Sequence, residues 1–228
     1  MMPLSNLVIS AALAAAGPAA QTPGLPAWAV KPPPKLPAEM HLTLERFRYF
    51  VDCVATSEWG DSKALFDTPI GSAAESAMLN KITGGVNGST CTYAWQMRMT
   101  SMILRGGIAE ARYRYAYARK GAPPAVPAEP APVAAGASFT WVAFNKESTP
   151  QRLYAFANCL AERETGGVHA VLTTRWGSKE ERVAYQGLSR RFGTCLAPGQ
   201  TLRANSLTLR PWLGEALYQY SRRLKPDA

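Results

Sequence analysis

The chain has 228 residues, 47% apolar and 18% charged, a balance that excludes a disordered chain and supplies enough apolar side chains for a sizeable core. Its 25 basic residues against 16 acidic ones give a formal charge of +9, a field that can favour anionic material or nucleic acid, although most basic surfaces are simply solvated. Two histidines and no Cys-x-x-Cys leave no zinc-site spacing, so no metal or cofactor is expected.

Residues 1–20 read as a signal peptide: Met1 to Ala16 is apolar and uncharged and runs into Gly17, Pro18, Ala19 and Ala20. No Lys or Arg marks an n-region, so only the terminal amine supplies positive charge there. No later stretch has the length and apolarity of a membrane span, and the expected location is outside the cytoplasm, periplasmic or secreted. Residues 21–40 carry six prolines and read as an extended arm, since proline removes amide donors and fixes φ.

Beyond the arm the chain repeats itself. A shift of 106 residues carries Thr43, Arg46, Phe50, Cys53, Glu58, Gly60, Thr68, Gly71, Ser72 and Glu75 onto Thr149, Arg152, Phe156, Cys159, Glu164, Gly166, Thr174, Gly177, Ser178 and Glu181. The closing stretch Leu104-Arg105-Gly106, continuing to Glu110, Ala111 and Tyr113, recurs as Leu209-Arg210-Pro211 with Glu215, Ala216 and Tyr218. The expected architecture is mainly α: two tandem copies of a small helical unit, residues 41–120 and 139–228, each with three to four helices and at most one short strand. Residues 121–138, almost wholly Ala, Pro and Val, form the linker.

Each copy opens on a helix, capped by Thr43 before Leu44–Ser57 and by Thr149 before Pro150. Leu44, Phe47, Phe50, Val51 and Val54 recur at helical spacing, as do Leu153, Phe156, Ala157 and Leu160, and each set predicts a core-facing stripe. Gly60 and Gly166 are expected to break these helices ahead of short apolar turns. Ser72 with Glu75 and Ser178 with Glu181 then form capping boxes, the Glu reaching back to the Ser amide. They open helices near 73–83 and 179–191.

Tyr93, Trp95, Met97 and Met99 alternate with polar residues and predict a strand, and Leu202 to Ala204, continued by Leu207 and Leu209, predicts a shorter one. Asn87-Gly88-Ser89 fits a glycosylation sequon but reads more simply as turn chemistry. Closing helices are expected over 106–119 and 211–224. Each copy holds one cysteine pair at nearly equal spacing, which predicts the disulfides Cys53–Cys91 and Cys159–Cys195.

The polar residues that recur, Arg105, Glu110 and Tyr113 with Arg210, Glu215 and Tyr218, are the candidate binding residues. Structurally, each Arg would bond carbonyls or the following Glu and fix how the closing helix begins. Functionally, Arg105 and Arg210 would converge into an anion site. No catalytic residue is assigned, because Ser72 and Ser178 lack a matched base and His41 and His169 occupy unmatched positions. The Gly84 to Ser89 stretch lacks the Lys of a phosphate loop, and no motif with nucleic-acid-binding spacing occurs.

The expected function is an exported, non-catalytic binding or scaffolding protein of the cell envelope. Its partner is unknown, an anionic envelope component or another envelope protein. Residues 151–225 hold 12 basic against 5 acidic residues, so the second copy carries the positive field. The alternative is an enzyme with a cleft between the copies, using Glu110 or Glu215 as acid or base.

Overall fold

The computed structural model describes residues 38–83, 91, 99–126, 138–141 and 150–225. The expected signal peptide, nearly all of the Pro-rich arm, the turn at Asn87, the strand from Tyr93 and the Thr149 cap lie outside the described residues.

Among the described residues the chain is mainly helical, with eight α-helices and two short strands. The first half holds α1 (Ala38–Ser57), α2 (Trp59–Leu65), α3 (Ala73–Ile82) and α4 (Ser101–Ala116). The second holds β1 (Ser138–Trp141), α5 (Pro150–Arg163), α6 (Thr165–Leu172), α7 (Lys179–Ser189), β2 (Thr201–Ala204) and α8 (Ser206–Leu224). No described helix is long and apolar enough to cross a membrane.

Several boundaries differ from the sequence expectation, each for a local reason. Helix α1 starts at Ala38, so Thr43 lies inside it and is not its cap, and the arm ends sooner than residue 40. The residues from Ala38 onward are good helix formers, with Glu39 in the first turn. Gly60 and Gly166 do not break the chain but lie in the first turns of α2 and α6, and the expected apolar turns are the ends of those helices.

The closing helices begin five residues earlier than expected, at Ser101 and Ser206. Thr100 Oγ1 accepts from the Ile103 amide at 3.4 Å, and Asn205 Oδ1 accepts from the Thr208 amide at 2.8 Å. These caps outweigh the glycines and Pro211, which the longer helices simply contain. Leu207 and Leu209 are therefore helical and continue no strand.

The second half also exceeds the single strand expected of it. Ser138, placed in the linker by composition, opens β1, which pairs in parallel with β2 so that Phe139 lies opposite Leu202. A two-stranded ribbon is not stable alone, and this one is held from below. Phe139 is fully buried, with its ring 4.4 Å from that of Phe192 and stacked on that of Phe156.

The helix stripes behave as their spacing requires. Leu44, Phe47, Phe50, Val51 and Val54 are buried from α1, as are Leu153, Phe156, Ala157 and Leu160 from α5, and all join one hydrophobic core that spans both halves. At its centre α4 and α8 lie side by side. Gly106 meets Pro211, Arg112 meets Tyr218, and the Tyr117 hydroxyl donates to the Lys225 carbonyl, so the contacts advance together and the two helices run in the same direction.

The cysteines are bonded Cys53 to Cys91 and Cys159 to Cys195, each tying the end of a half's first helix to the chain beyond its third. On the loop-entropy model, closing loops of 38 and 36 residues restricts the unfolded chain by about 4 kcal/mol each. Because the two halves share one core, Cys53→Ser and Cys159→Ser are each expected to lower a single common transition by roughly that amount. Urea unfolding followed by near-ultraviolet circular dichroism checks this, and two separated transitions would count against a shared core.

Candidate functional site

The six candidate residues lie on the facing helices α4 and α8, and the structure turns them inward. Arg105, Glu110 and Tyr113 from α4 and Arg210, Glu215 and Tyr218 from α8 are each at most 2% exposed. Buried charge at this depth requires a partner, and here the partners come from both halves, with Arg105–Glu215 and Arg210–Glu110 crossing between them.

Arg210 is the more completely held of the two arginines. Its Nε donates to Glu110 Oε2 at 2.9 Å and its Nη2 to Glu110 Oε1 at 2.8 Å, a two-pronged bond across the helix pair. Nη1 donates to Glu181 Oε1 at 2.7 Å, and Nη2 also reaches the Thr174 carbonyl at 2.8 Å. The Trp176 ring lies 4.8 Å from the guanidinium, and its Nε1 donates to Glu110 Oε1 at 3.1 Å. Burial alone would lower the Arg210 pKa, but the facing Glu110 and Glu181 carboxylates outweigh it and raise it.

Arg105 is held by the same types of group with fewer bonds. Its Nε donates to Glu215 Oε1 at 2.8 Å, and Nη1 donates to the Leu65 carbonyl and the Thr68 hydroxyl, both at 3.1 Å. Glu75 Oε1 stands 3.5 Å from Nη1. Ile70, at the sequence position that matches Trp176, is 39% exposed and brings no N–H donor. Burial raises the Glu215 pKa, and the adjoining Arg105 guanidinium offsets only part of that.

The capping boxes feed these clusters. Ser72 and Ser178 accept from the Glu75 and Glu181 amides at 3.1 and 3.0 Å, as expected. The carboxylates, however, bond the amides of Gly71 and Gly177, one residue before the Ser. Both glycines have positive φ, 77° and 72°, and this left-handed turn points their amides at the Glu side chain. The remaining oxygen of each carboxylate is thereby free to face Arg105 or Arg210.

The tyrosines also reach across. Tyr113 Oη lies 2.7 Å from His169 Nδ1 on α6, and Tyr218 Oη accepts from Arg112 Nε at 2.7 Å. Arg112 Nη1 in turn donates to the buried Ser62 hydroxyl at 2.7 Å. Burial raises the Tyr113 pKa and lowers that of His169. On one flank the polar network continues to the surface: Arg114 bonds Asp52 and stands 3.9 Å from Glu110, and Arg48 lies 3.7 Å from Asp52.

Arg105 is engaged by Glu215 and the Leu65 carbonyl, and Arg210 by Glu110, Glu181 and the Thr174 carbonyl. Glu110 and Glu215 are buried as well, each facing an arginine across the helix pair. Among the described residues no group of His, Cys, Asp and Glu is arranged to hold a metal ion.

Sequence reasoning did not single out Arg112, Arg114, Asp52 or Trp176. Arg112 and Trp176 face Leu217 and Ile70 in the self-alignment, so a search confined to shared residues passes over them. No protein-family model, curated protein or solved structure matches this chain.

Proposed function

We propose that the chain is an exported, non-catalytic binding or scaffolding protein of the cell envelope, built from a duplicated helical unit. The observation that carries this reading is the crosswise burial of the shared Arg, Glu and Tyr residues. These groups are consumed in holding the halves together, which leaves surface charge as the means of recognition.

Three further observations support it. Two disulfides are characteristic of oxidising compartments outside the cytoplasm, in keeping with a leader over residues 1–20. Four helices follow in the same order in each half, and the crosswise bonds Arg105 to Glu215 and Arg210 to Glu110 join matching positions, which is what duplication of one unit would leave. The second half keeps exposed cations at Arg190 and Arg191.

The partner that this charge favours is an anionic envelope component. The mature protein should retain such material from an envelope extract at low salt and release it as ionic strength rises. Charge reversal at Arg190 and Arg191 should weaken retention more than reversal at Arg46 and Arg48. Equal effects at the two sites, or an intact Met1 on protein recovered from the cytosolic fraction, would overturn the proposal.

A further inference from the structure

The two arginine clusters are built from matching residues but do not carry the same charge. Around Arg210, three guanidiniums (Arg48, Arg114 and Arg210) alternate with three carboxylates (Asp52, Glu110 and Glu181). Around Arg105, one guanidinium faces two buried carboxylates, Glu75 and Glu215, and among the described residues no second cation pairs with either. The positions that match Arg48 and Arg114 hold Tyr154 and Gln219, so the charge is missing from the sequence itself.

The hydrogen bonds carry the same deficit. Glu181 Oε1 receives Arg210 at 2.7 Å, whereas Glu75 Oε1, on a side chain 2% exposed, has no hydrogen-bond donor and only Arg105 at 3.5 Å. Glu110 receives two bonds from Arg210 and one from Trp176, whereas Glu215 receives Arg105 Nε alone of these groups. The titratable groups that face Glu215 are Arg105 from α4, Glu75 from α3 and Tyr154 from α5, with Arg223 of α8 acting on Tyr154. Only Arg105 among those facing it is cationic.

We propose that the Glu75–Arg105–Glu215 cluster is a proton-binding site, in which Glu215 takes up one proton. Two carboxylates beside one guanidinium leave one uncompensated negative charge in the core, and a proton is the smallest cation that cancels it. The bond to be formed is O–H on Glu215, with the proton taken from solvent. Arg105 Nε keeps its acceptor, because a protonated carboxyl still presents a carbonyl oxygen. Glu75 lies in the first turn of α3 and takes the Gly71 amide, so its charge is offset there, whereas Glu215 has neither among the described residues; the raised Glu215 pKa agrees with this placement.

The sign of the linkage follows. A carboxyl whose folded pKa lies above its unfolded value of 4.5 stabilises the fold fully below that value, and the contribution is lost as pH rises through the folded pKa. Acidification therefore strengthens this cluster, whereas an acid pulled below its ordinary pKa by a cation loses stability on acidification.

The test uses the full mature chain with its disulfides intact, unfolded in urea at a series of pH values, and compares it with Glu215→Gln. The amide stands for the protonated carboxyl. Relative to Glu215→Gln, the native chain's unfolding constant should rise with pH, by up to about tenfold per unit between the unfolded and folded pKa values. A ratio that is constant or falls with pH overturns the proposal. Should Glu215→Gln fail to fold, carbon-13 NMR of the Glu215 carboxyl in the native chain reads its midpoint directly. A midpoint above the ordinary glutamate range that drops in Glu75→Gln is expected, and one at or below that range overturns the proposal.

Discussion

Replacing Arg210 with Met is expected to destabilise the protein by about 3–5 kcal/mol, the usual cost of removing one partner from a buried ion cluster. The guanidinium is wholly buried and joins α8 to Glu110 on α4, to Glu181 on α7 and to the carbonyl of Thr174. Its loss leaves two buried carboxylates with fewer bonds, and the repulsion between them falls on the contact that joins the halves. The effect is therefore expected to reach both halves and not α8 alone.

A double-mutant cycle separates this cost from the loss of packing. Glu110→Met removes the opposite partner, and the double variant Arg210→Met with Glu110→Met replaces both charges with apolar groups of similar length. It should be more stable than the sum of the single effects predicts, with a coupling of about 1–3 kcal/mol. Urea unfolding of the four proteins measures this. An additive cycle, or a loss below about 1 kcal/mol in Arg210→Met, would mean that the pair does not hold the halves together.

How much of this arrangement is legible in the sequence depends on whether a feature is local. The stripes of α1 and α5, the serine caps of α3 and α7, and the cysteine pairs are read from spacing within one half, and the structure has them at those residues. The shared Arg, Glu and Tyr also stand out, because they persist where neighbouring residues differ. Their partners do not. Nothing in the spacing of Arg105 and Glu110 reveals that each bonds the other's counterpart, since that follows from how α4 and α8 are placed against each other.

The starts of α4 and α8 illustrate the second kind of miss. Gly106, Gly107 and Pro211 look like punctuation to a reader who weighs propensity alone. The cap residues Thr100 and Asn205, each followed by Ser and an apolar run, were the better signal. The glycines are retained inside α4 for a reason that only the packed structure gives, and it sets the last expectation.

Gly106→Ala is expected to destabilise by about 3 kcal/mol or more, even though alanine favours an isolated helix over glycine by about 1 kcal/mol. A Cβ at Gly106 would stand 2.3 Å from the Pro211 carbonyl oxygen and 2.5 Å from its carbonyl carbon, both backbone atoms of α8. No rotamer change relieves such a contact, so the helices must separate. Separation would lengthen the bonds from Arg105 to Glu215 and from Arg210 to Glu110, which span the same interface. Gly214 approaches from the other side, where a Cβ would meet the Gly106 carbonyl oxygen at 2.8 Å and Glu110 Cβ at 3.0 Å. Gly60 and Gly166 are the internal controls: they lie in helices with negative φ, and a Cβ at either would meet no atom within 4 Å. Alanine there should be neutral or stabilising by about 0.5 kcal/mol. Thermal and urea unfolding of the three single variants decides the matter. A Gly106→Ala protein as stable as those controls would show that α4 and α8 do not pack at this distance, and the crosswise pairing of Arg and Glu would lose the geometry on which it rests.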